Sequence, residues 1–444
     1  MIDREPVIHV GVIQGAQKVR GEMRGVFRTS GGRDVRGPIE VWAEGVTVFV
    51  RDEHDAIVAT GSDVILRGTD EGRFLLHDVT IGISFHWERK EDQVFEGNLS
   101  LIAFPPGHVT AVNIIGVEAY LTSVIASEMS ATSPEELLKA HAITSRSWLV
   151  AMLERERREK KDPGTSRRSN ETPDEIVRWY DREDHARFDV CADDHCQRYQ
   201  GVTKLLSAAA VNAVQATRGQ LLIHGGEVCD ARYYKACGGR TEEFRNAWED
   251  VSVPYLHSVS DGPVRHPTLE KETEAERWMT SSPDAYCNTT DGNILRQVLP
   301  SFDQETTDFF RWKVEYSNDE LAKVLLQKST IDFGSISELI PLHRGPSGRI
   351  TKLKIVGTKR TVTVGKELEI RKWLSKSHLY SSAFVVKKGE VREGVPSKFV
   401  LHGAGWGHGV GLCQIGAAVM ATKGLSAKDI VLHYFSGAEL KKLY

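Results

Sequence analysis

The stretch Gly116-Val117-Glu118-Ala119-Tyr120-Leu121-Thr122-Ser123-Val124-Ile125-Ala126-Ser127-Glu128-Met129 is where the period of the chain changes. Upstream, from Val7 to about Val112, apolar residues come in short or alternating runs: Val7 to Val12, Ile39 to Trp42, Val46 to Val50 and Gly82 to Trp87. Turn residues break these runs at close intervals, which is the pattern of strands. Beyond Gly116, Leu121, Val124, Ile125 and Ala126 recur at helical spacing. Ser133-Pro134-Glu135-Glu136 then opens a second helix, with Ser133 as cap, Pro134 in the first turn and Glu136 as capping-box partner. That helix is expected to run through Trp148 to Glu154. A strand-rich first part followed by a mixed core with helices around Glu128 predicts an α+β fold.

The charge run Arg155 to Lys161 reads as a solvated face and loop, and Asp162-Pro163-Gly164 with Ser166 and Ser169 as a flexible insertion. Between about 262 and 380 a polar stretch carries helical patterns at Thr273 to Met279 and Asp319 to Gln327, and strand patterns at Ile350 to Val356 and Thr361 to Val364. The last forty or so residues return to a dense glycine pattern, a helix from Cys413 to Thr422 and a final helix capped by Ser426. The expected organisation is a strand-rich region at 1–112, a catalytic core formed by 113–261 and 381–444, and an inserted smaller lobe at 262–380.

The 444 residues include 57 Lys+Arg and 61 Asp+Glu, a net charge of -4 that argues against a dedicated nucleic-acid binder. Hydrophobic residues at 40% describe a globular chain rather than a disordered one. No stretch approaches the ~18 apolar residues of a bilayer span. Met1 to Pro6 has neither the basic nor the apolar region of a signal peptide.

Four segments have the composition for chemistry. Glu128 lies between an apolar helical face and the Ser133 cap, where partial desolvation would favour the protonated form that a general acid needs; a solvated or capping glutamate is the plain alternative. Gly403 to Gly411, with His408 and the following Gln414, lets backbone approach a neighbour closely, but no Lys-Ser/Thr pair follows, so the nucleotide-loop pattern fails. The neighbour is either a ligand or another loop packed over a tight turn. Tyr233 to Thr241, with Trp248 and Pro254-Tyr255-Leu256 beyond, offers aromatic faces and hydrogen-bonding groups suited to a sugar polymer, or a hairpin with core tyrosines. His185, Cys191, His195 and Cys196 supply two imidazoles and two thiols; the donor chemistry suits zinc although the spacing matches no finger or ribbon. A Cys191–Cys196 disulfide or free thiols are the other readings.

Taken in order, the blocks Val117 to Leu121, Ser127-Glu128-Met129 and Ala140 to Arg146, then Gly238-Gly239-Arg240-Thr241 with Trp248 and Pro254 to Leu256, then Gly405 to Gly411 with Gln414 to Ala417, resemble the sporulation stage II protein D family, the SpoIID/LytB domain of amidase enhancers and lytic transglycosylases. The closing His433 to Gly437 pattern is similar as well. The resemblance implies cleavage of peptidoglycan glycan strands between N-acetylmuramic acid and N-acetylglucosamine, without water, leaving a 1,6-anhydro end.

Glu128 matches the family's catalytic glutamate and would serve as acid and then as base. Arg146 would bind a sugar substituent or bias the glutamate, structural ion pairing being its other reading. His408 and Gln414 would line the opposite wall of a cleft, and Ser127, Tyr233, Gly239 and Thr241 would hydrogen-bond to sugar. The His185 to Cys196 cluster looks like the zinc loop of some members; no cofactor is required for the chemistry itself. Partners implied are the glycan strands and a cell-wall amidase, and the implied location is the periplasm or cell envelope.

A non-catalytic, wall-binding activator of an amidase is the second reading. A zinc hydrolase is the third, disfavoured because two thiolates make a metal a poorer Lewis acid. Two departures from the family pattern stand out: Cys237 precedes the double glycine where serine is usual, and Cys413 replaces a common serine in the last block. These blocks are expected to converge, bringing Cys237 and Cys413 near one another, with Cys229 as a further candidate partner; the redox states of these three and of Cys287 are open.

Overall fold

The computed structural model describes residues 3–69, 72–83, 88–130, 132–159, 169–179, 185–193, 195–205, 208–298 and 308–444. The fold is α+β with a strand-rich N-terminal part. It comprises two compact units: Met1–Thr132, Asp184–Gln220 and Lys442–Tyr444 form the first, and Ser133–Glu183 with Leu221–Lys441 the second.

In the first unit, strands from the first 116 residues form one extended sheet. Val7–Ala16 pairs antiparallel with Val109–Gly116, which pairs with Asn98–Ala103; Lys18–Arg28, Asp34–Glu44 and Thr47–Asp52 continue as an antiparallel meander. Alternation of buried and exposed residues along Val7–Ala16 and Lys18–Arg28 is the periodicity visible in the sequence. In the run from Gly82 to Trp87 the strand has already ended: it spans Arg73–Ile81, Gly82 and Ile83 turn away, and 84–87 lie outside the described residues.

Helix α1 (Val117–Glu128) follows Gly116 directly. Glu5 acts as its cap from a distance, its Oε1 accepting the Glu118 N–H at 3.1 Å. A Cβ on Gly116 would meet that same oxygen at 2.6 Å, so the glycine at the strand-to-helix junction makes room for the cap. Tyr120 and Leu121 are fully buried, and Tyr120 stacks on Tyr199 at 5.0 Å between centroids.

Helix α2 (Glu135–Glu159) belongs to the second unit and outruns the sequence expectation by five residues. Lys139 Nζ and the Ala427 N–H donate to the Glu136 carboxylate, so that side chain ties α2 to the helix Ala427–Tyr434. The insertion at 162–166 lies outside the described residues. The helical patterns of the 262–380 stretch appear as Glu272–Met279 and Asn318–Ser329, its strands as Ile350–Gly357 and Thr361–Gly365. Strand pairing carries this stretch beyond its sequence limits. Thr361–Gly365 pairs with Glu175–Arg178, and Arg311–Ser317 pairs with Lys398–Ala404. A core with Trp312, Leu325, Phe333, Ile355, Trp373 and Phe399 fills the space between.

Gly403 lies in Lys398–Ala404 under the Trp312 indole, where an added Cβ would sit 2.1 Å from the ring. Trp312 is also fixed by its Nε1–H to the Gly405 carbonyl at 2.9 Å. Gly403→Ala is therefore expected to lower unfolding free energy by about 1–3 kcal/mol, the range for overpacking a filled core, read as a lower urea midpoint with unchanged m.

Candidate functional site

Glu128 is the last residue of α1 and only 8% exposed. Its Oε1 accepts the Arg198 backbone N–H at 3.4 Å. The Ser127 hydroxyl is buried and has no hydrogen-bond partner among the described residues. Arg198 belongs to the loop that follows the His/Cys cluster, and this loop is pinned to α1 and to the strand Val109–Gly116 before it. The Gln200 N–H donates to Ser123 Oγ at 3.2 Å, and the Tyr199 hydroxyl donates to Asn113 Oδ1 at 2.5 Å.

The cluster lies just upstream. One donor atom from each of His185, Cys191, His195 and Cys196 falls within 4.8 Å of the others. Cys196 Sγ is 3.3 Å from His185 Nε2 and 3.5 Å from His195 Nδ1. Hydrogen bonding from Cys196 and from the two imidazoles holds the Cys191 thiol well below the ordinary thiol range, against desolvation. Val190–Cys191 adds a short parallel strand beside Val10 and Gly11, and Phe188 occupies the space a side chain on Gly11 would need. The first unit thus carries Glu128 and Ser127 on α1 and the four His/Cys side chains on the segment that leads into this loop.

The remaining candidates lie in the second unit. Gln414 opens the helix Gln414–Thr422, and its amide lies 3.0 Å from His141 Nε2. His141 on α2 is fully buried, bonded through Nδ1 to Ser145 Oγ at 3.2 Å, and packs on the Tyr233 ring at 4.4 Å. Sequence reasoning quoted His141 within a block but gave it no role; three-residue proximity to Tyr233 and Gln414 is visible only in the fold.

His408 spends both ring nitrogens on backbone. Nδ1 accepts the Val410 N–H at 3.1 Å, so Nε2 carries the proton and donates to the Tyr233 carbonyl at 3.1 Å. The ring packs on Trp248 at 4.7 Å. Expected as a wall of a sugar cleft, this imidazole instead clasps the glycine-rich segment to the Tyr233 strand. Burial, with Arg232, Arg349 and Arg371 nearby, drives its pKa well below the ordinary 6.5.

The glycines of 403–411 likewise meet protein. At Gly409 (φ +86°) a Cβ would lie 2.5 Å from the Arg349 guanidinium, so the segment is a packing device of close approaches.

Arg146 is fully buried and donates to the Ala142 carbonyl at 3.4 Å. Thr241 is 1% exposed, and its hydroxyl accepts the Val259 N–H at 2.8 Å. Gly239 (φ +108°) faces the Trp278 ring, 2.6 Å from where a Cβ would be. These two positions serve chain packing rather than an open surface. Cys237 and Cys413 do lie together, joined by Cys287 instead of Cys229. Burial pushes the Cys229 thiol up to about 12.

Residues 106–224 match the stage II sporulation protein (SpoIID) family, and residues 242–411 match a domain family of unknown function, DUF8618. The chain is 25% identical to stage II sporulation protein D of Bacillus amyloliquefaciens over 332 residues, covering 75% of this chain and 76% of that protein. It is 25% identical over 346 residues to an uncharacterized protein of Brachyspira hyodysenteriae, covering 78% and 72% of the two chains. The amidase enhancer of Bacillus subtilis is 26% identical over 254 residues, 51% of this chain and 32% of that protein. Residues 106–224 thus carry a SpoIID domain, and the similarity of these relatives supports the SpoIID/LytB family for this chain.

An imidazole kept neutral by its partly buried setting makes stability fall with acid. His408 unfolded binds its proton below about 6.5 while the folded ring stays neutral, so its contribution is present above that pH and is lost as pH drops. His408→Gln is expected to be less stable at pH 7.5 but to show a shallower loss of melting temperature between about pH 6.5 and 5, measured by calorimetry on both chains.

Proposed function

We propose that this protein is a peptidoglycan lytic transglycosylase in which Glu128 is the general acid and base. The SpoIID match and its relatives support a cell-wall-related function, and the environment of Glu128 carries the finer reading: a carboxyl group at a helix end, almost withdrawn from water, with a backbone N–H aimed at one oxygen. The Arg198 N–H can orient the carboxyl group for proton transfer. A group that must be acid in one step and base in the next needs both forms within reach at one pH.

In the proposed reaction the Glu128 carboxyl donates its proton to the glycosidic oxygen between N-acetylmuramic acid and N-acetylglucosamine. The resulting carboxylate then takes the proton of the muramoyl C6 hydroxyl as that oxygen bonds to C1. The leaving sugar departs with a free 4-hydroxyl, and the other product carries a 1,6-anhydro ring. Because the nucleophile belongs to the substrate, no second carboxylate at glycosidase spacing is needed.

The same reading assigns zinc to His185, Cys191, His195 and Cys196. The residues fit such an ion: two thiols and two imidazoles with donor atoms within 4.8 Å of one another, on a loop that also supplies the Arg198 N–H. When bound, zinc would supply a cross-link that fixes the loop, since two thiolates quench its Lewis acidity. Peptidoglycan glycan strands are the proposed substrate and the cell envelope the proposed location.

Glu128→Gln is expected to reduce anhydro-muramoyl product from peptide-stripped glycan strands by about 10²- to 10⁴-fold, while melting temperature and glycan co-sedimentation stay near wild type. Mass spectrometry separates the anhydro end from a hydrolysed one by the mass of one water. The match to an amidase enhancer favours a second reading, a non-catalytic activator of a cell-wall amidase. It requires amidase stimulation that persists in Glu128→Gln, with no anhydro product from either chain.

A further inference from the structure

We propose that the second unit holds a structural zinc ion bound by Cys237, Asp261, Cys287 and Cys413, separate from the His185 to Cys196 cluster. One donor atom from each of the four lies within 4.8 Å of all the others. Cys237 Sγ is 3.4 Å from Cys287 Sγ. Tetrahedral zinc with Zn–S bonds of about 2.3 Å places sulfurs roughly 3.8 Å apart, so small side-chain shifts suffice to seat the ion. All four residues are 2% exposed or less, as a closed four-ligand site requires.

The surroundings are those of a charged sulfur cluster. Cys413 Sγ accepts N–H groups from Cys237 at 3.3 Å and Gly416 at 3.4 Å, and Cys237 Sγ accepts the Gly239 N–H at 3.3 Å. Asp261 is oriented by the Tyr434 hydroxyl on Oδ1 at 2.6 Å and the Cys287 N–H on Oδ2 at 2.8 Å. Such outer partners fix ligand direction in metal sites. A side chain on Gly416 would strike Asp261 Oδ1 at 2.3 Å, so that helix turn is glycine where the carboxylate passes.

A disulfide explains less of this arrangement. Cys237–Cys287 would use two sulfurs and leave a third buried thiol beside a carboxylate with no exposure. Among the described residues that carboxyl group has no Lys or Arg ion pair. A divalent cation uses all four donors. Three thiols lose their protons to solvent as it binds, giving four negative ligands against two positive charges. Two guanidiniums donate to carbonyls of the turn that carries Cys237, Arg349 to the Cys237 carbonyl at 3.3 Å and Arg311 to the Gly238 carbonyl at 3.1 Å.

Thiolate donors select zinc over magnesium or calcium, and the absence of an open position assigns the ion to folding rather than to chemistry. It would join the Tyr233–Tyr234 strand exit, the chain around Asp261, the Cys287 turn and the cap of Gln414–Thr422.

The test is a crystal of the full chain, purified with a reductant and with no zinc added after purification, measured above and below the zinc absorption edge. An anomalous peak bonded to Cys237, Cys287, Cys413 and Asp261 is expected; no peak there, or a Cys237–Cys287 disulfide, overturns the proposal. In solution, Cys287→Ser is expected to carry one zinc fewer per chain than wild type by plasma mass spectrometry. A double Cys191→Ser, Cys196→Ser chain is expected to keep one zinc and, with cobalt, to show thiolate charge-transfer absorption. Folded double-mutant protein with neither metal nor that absorption also overturns it.

Discussion

Backbone pressed against backbone, with almost no side chain between, is the constraint on which the second unit depends. Ala236 and Trp406 exchange N–H to carbonyl bonds at 3.1 and 2.7 Å, and the Leu412 N–H reaches the Arg232 carbonyl at 2.9 Å. The Glu242 N–H bonds to the Gly409 carbonyl at 2.7 Å, and His408 closes the seam through both ring nitrogens. Two segments far apart in sequence can approach this closely only where one lacks side chains. The glycines at 403–411 supply that, and Trp312, Tyr234 and Arg349 take up the room. A seam of this kind satisfies buried backbone groups that would otherwise cost free energy.

The first unit solves a different problem, placing a carboxyl group at a helix terminus without leaving it in water. Strand Val109–Gly116 hands directly into α1, so the rigid sheet sets the helix direction and the last helical residue is Glu128. The loop carrying Arg198, Tyr199 and Gln200 covers that end through backbone donors and the Tyr120–Tyr199 stack. Position comes from the sheet, and environment comes from the loop.

The two sulfur-containing clusters differ in the same instructive way. His185, Cys191, His195 and Cys196 come from a span of twelve residues, so the local chain alone can gather them. Cys237, Asp261, Cys287 and Cys413 come from four separated segments, and only a completed tertiary structure brings them within reach. The first organises a loop. The second lies at the crossing point of segments that the glycine seam has already joined.

Much of the secondary structure was legible because periodicity survives in a single sequence: the switch at Gly116, the capped helix after Ser426 and the alternating strands upstream of 112 all follow from side-chain spacing. The gathering of His185, Cys191, His195 and Cys196 was also visible, since all four fall within twelve residues, whereas Glu128 stood out only through the family resemblance. What spacing does not encode is which distant backbone fills a glycine's empty side. Hence His408 read as a sugar ligand although its nitrogens hold the seam, and Asp261 drew no notice until Cys237, Cys287 and Cys413 surrounded it. The 262–380 stretch had its helices and strands in view, but the pairing of Arg311–Ser317 with Lys398–Ala404 rests on non-local hydrogen bonds that no window along the chain contains. Local propensity and pattern determined the elements; close packing among remote segments decided what surrounds each group, because burial and partner atoms exist only once those segments meet.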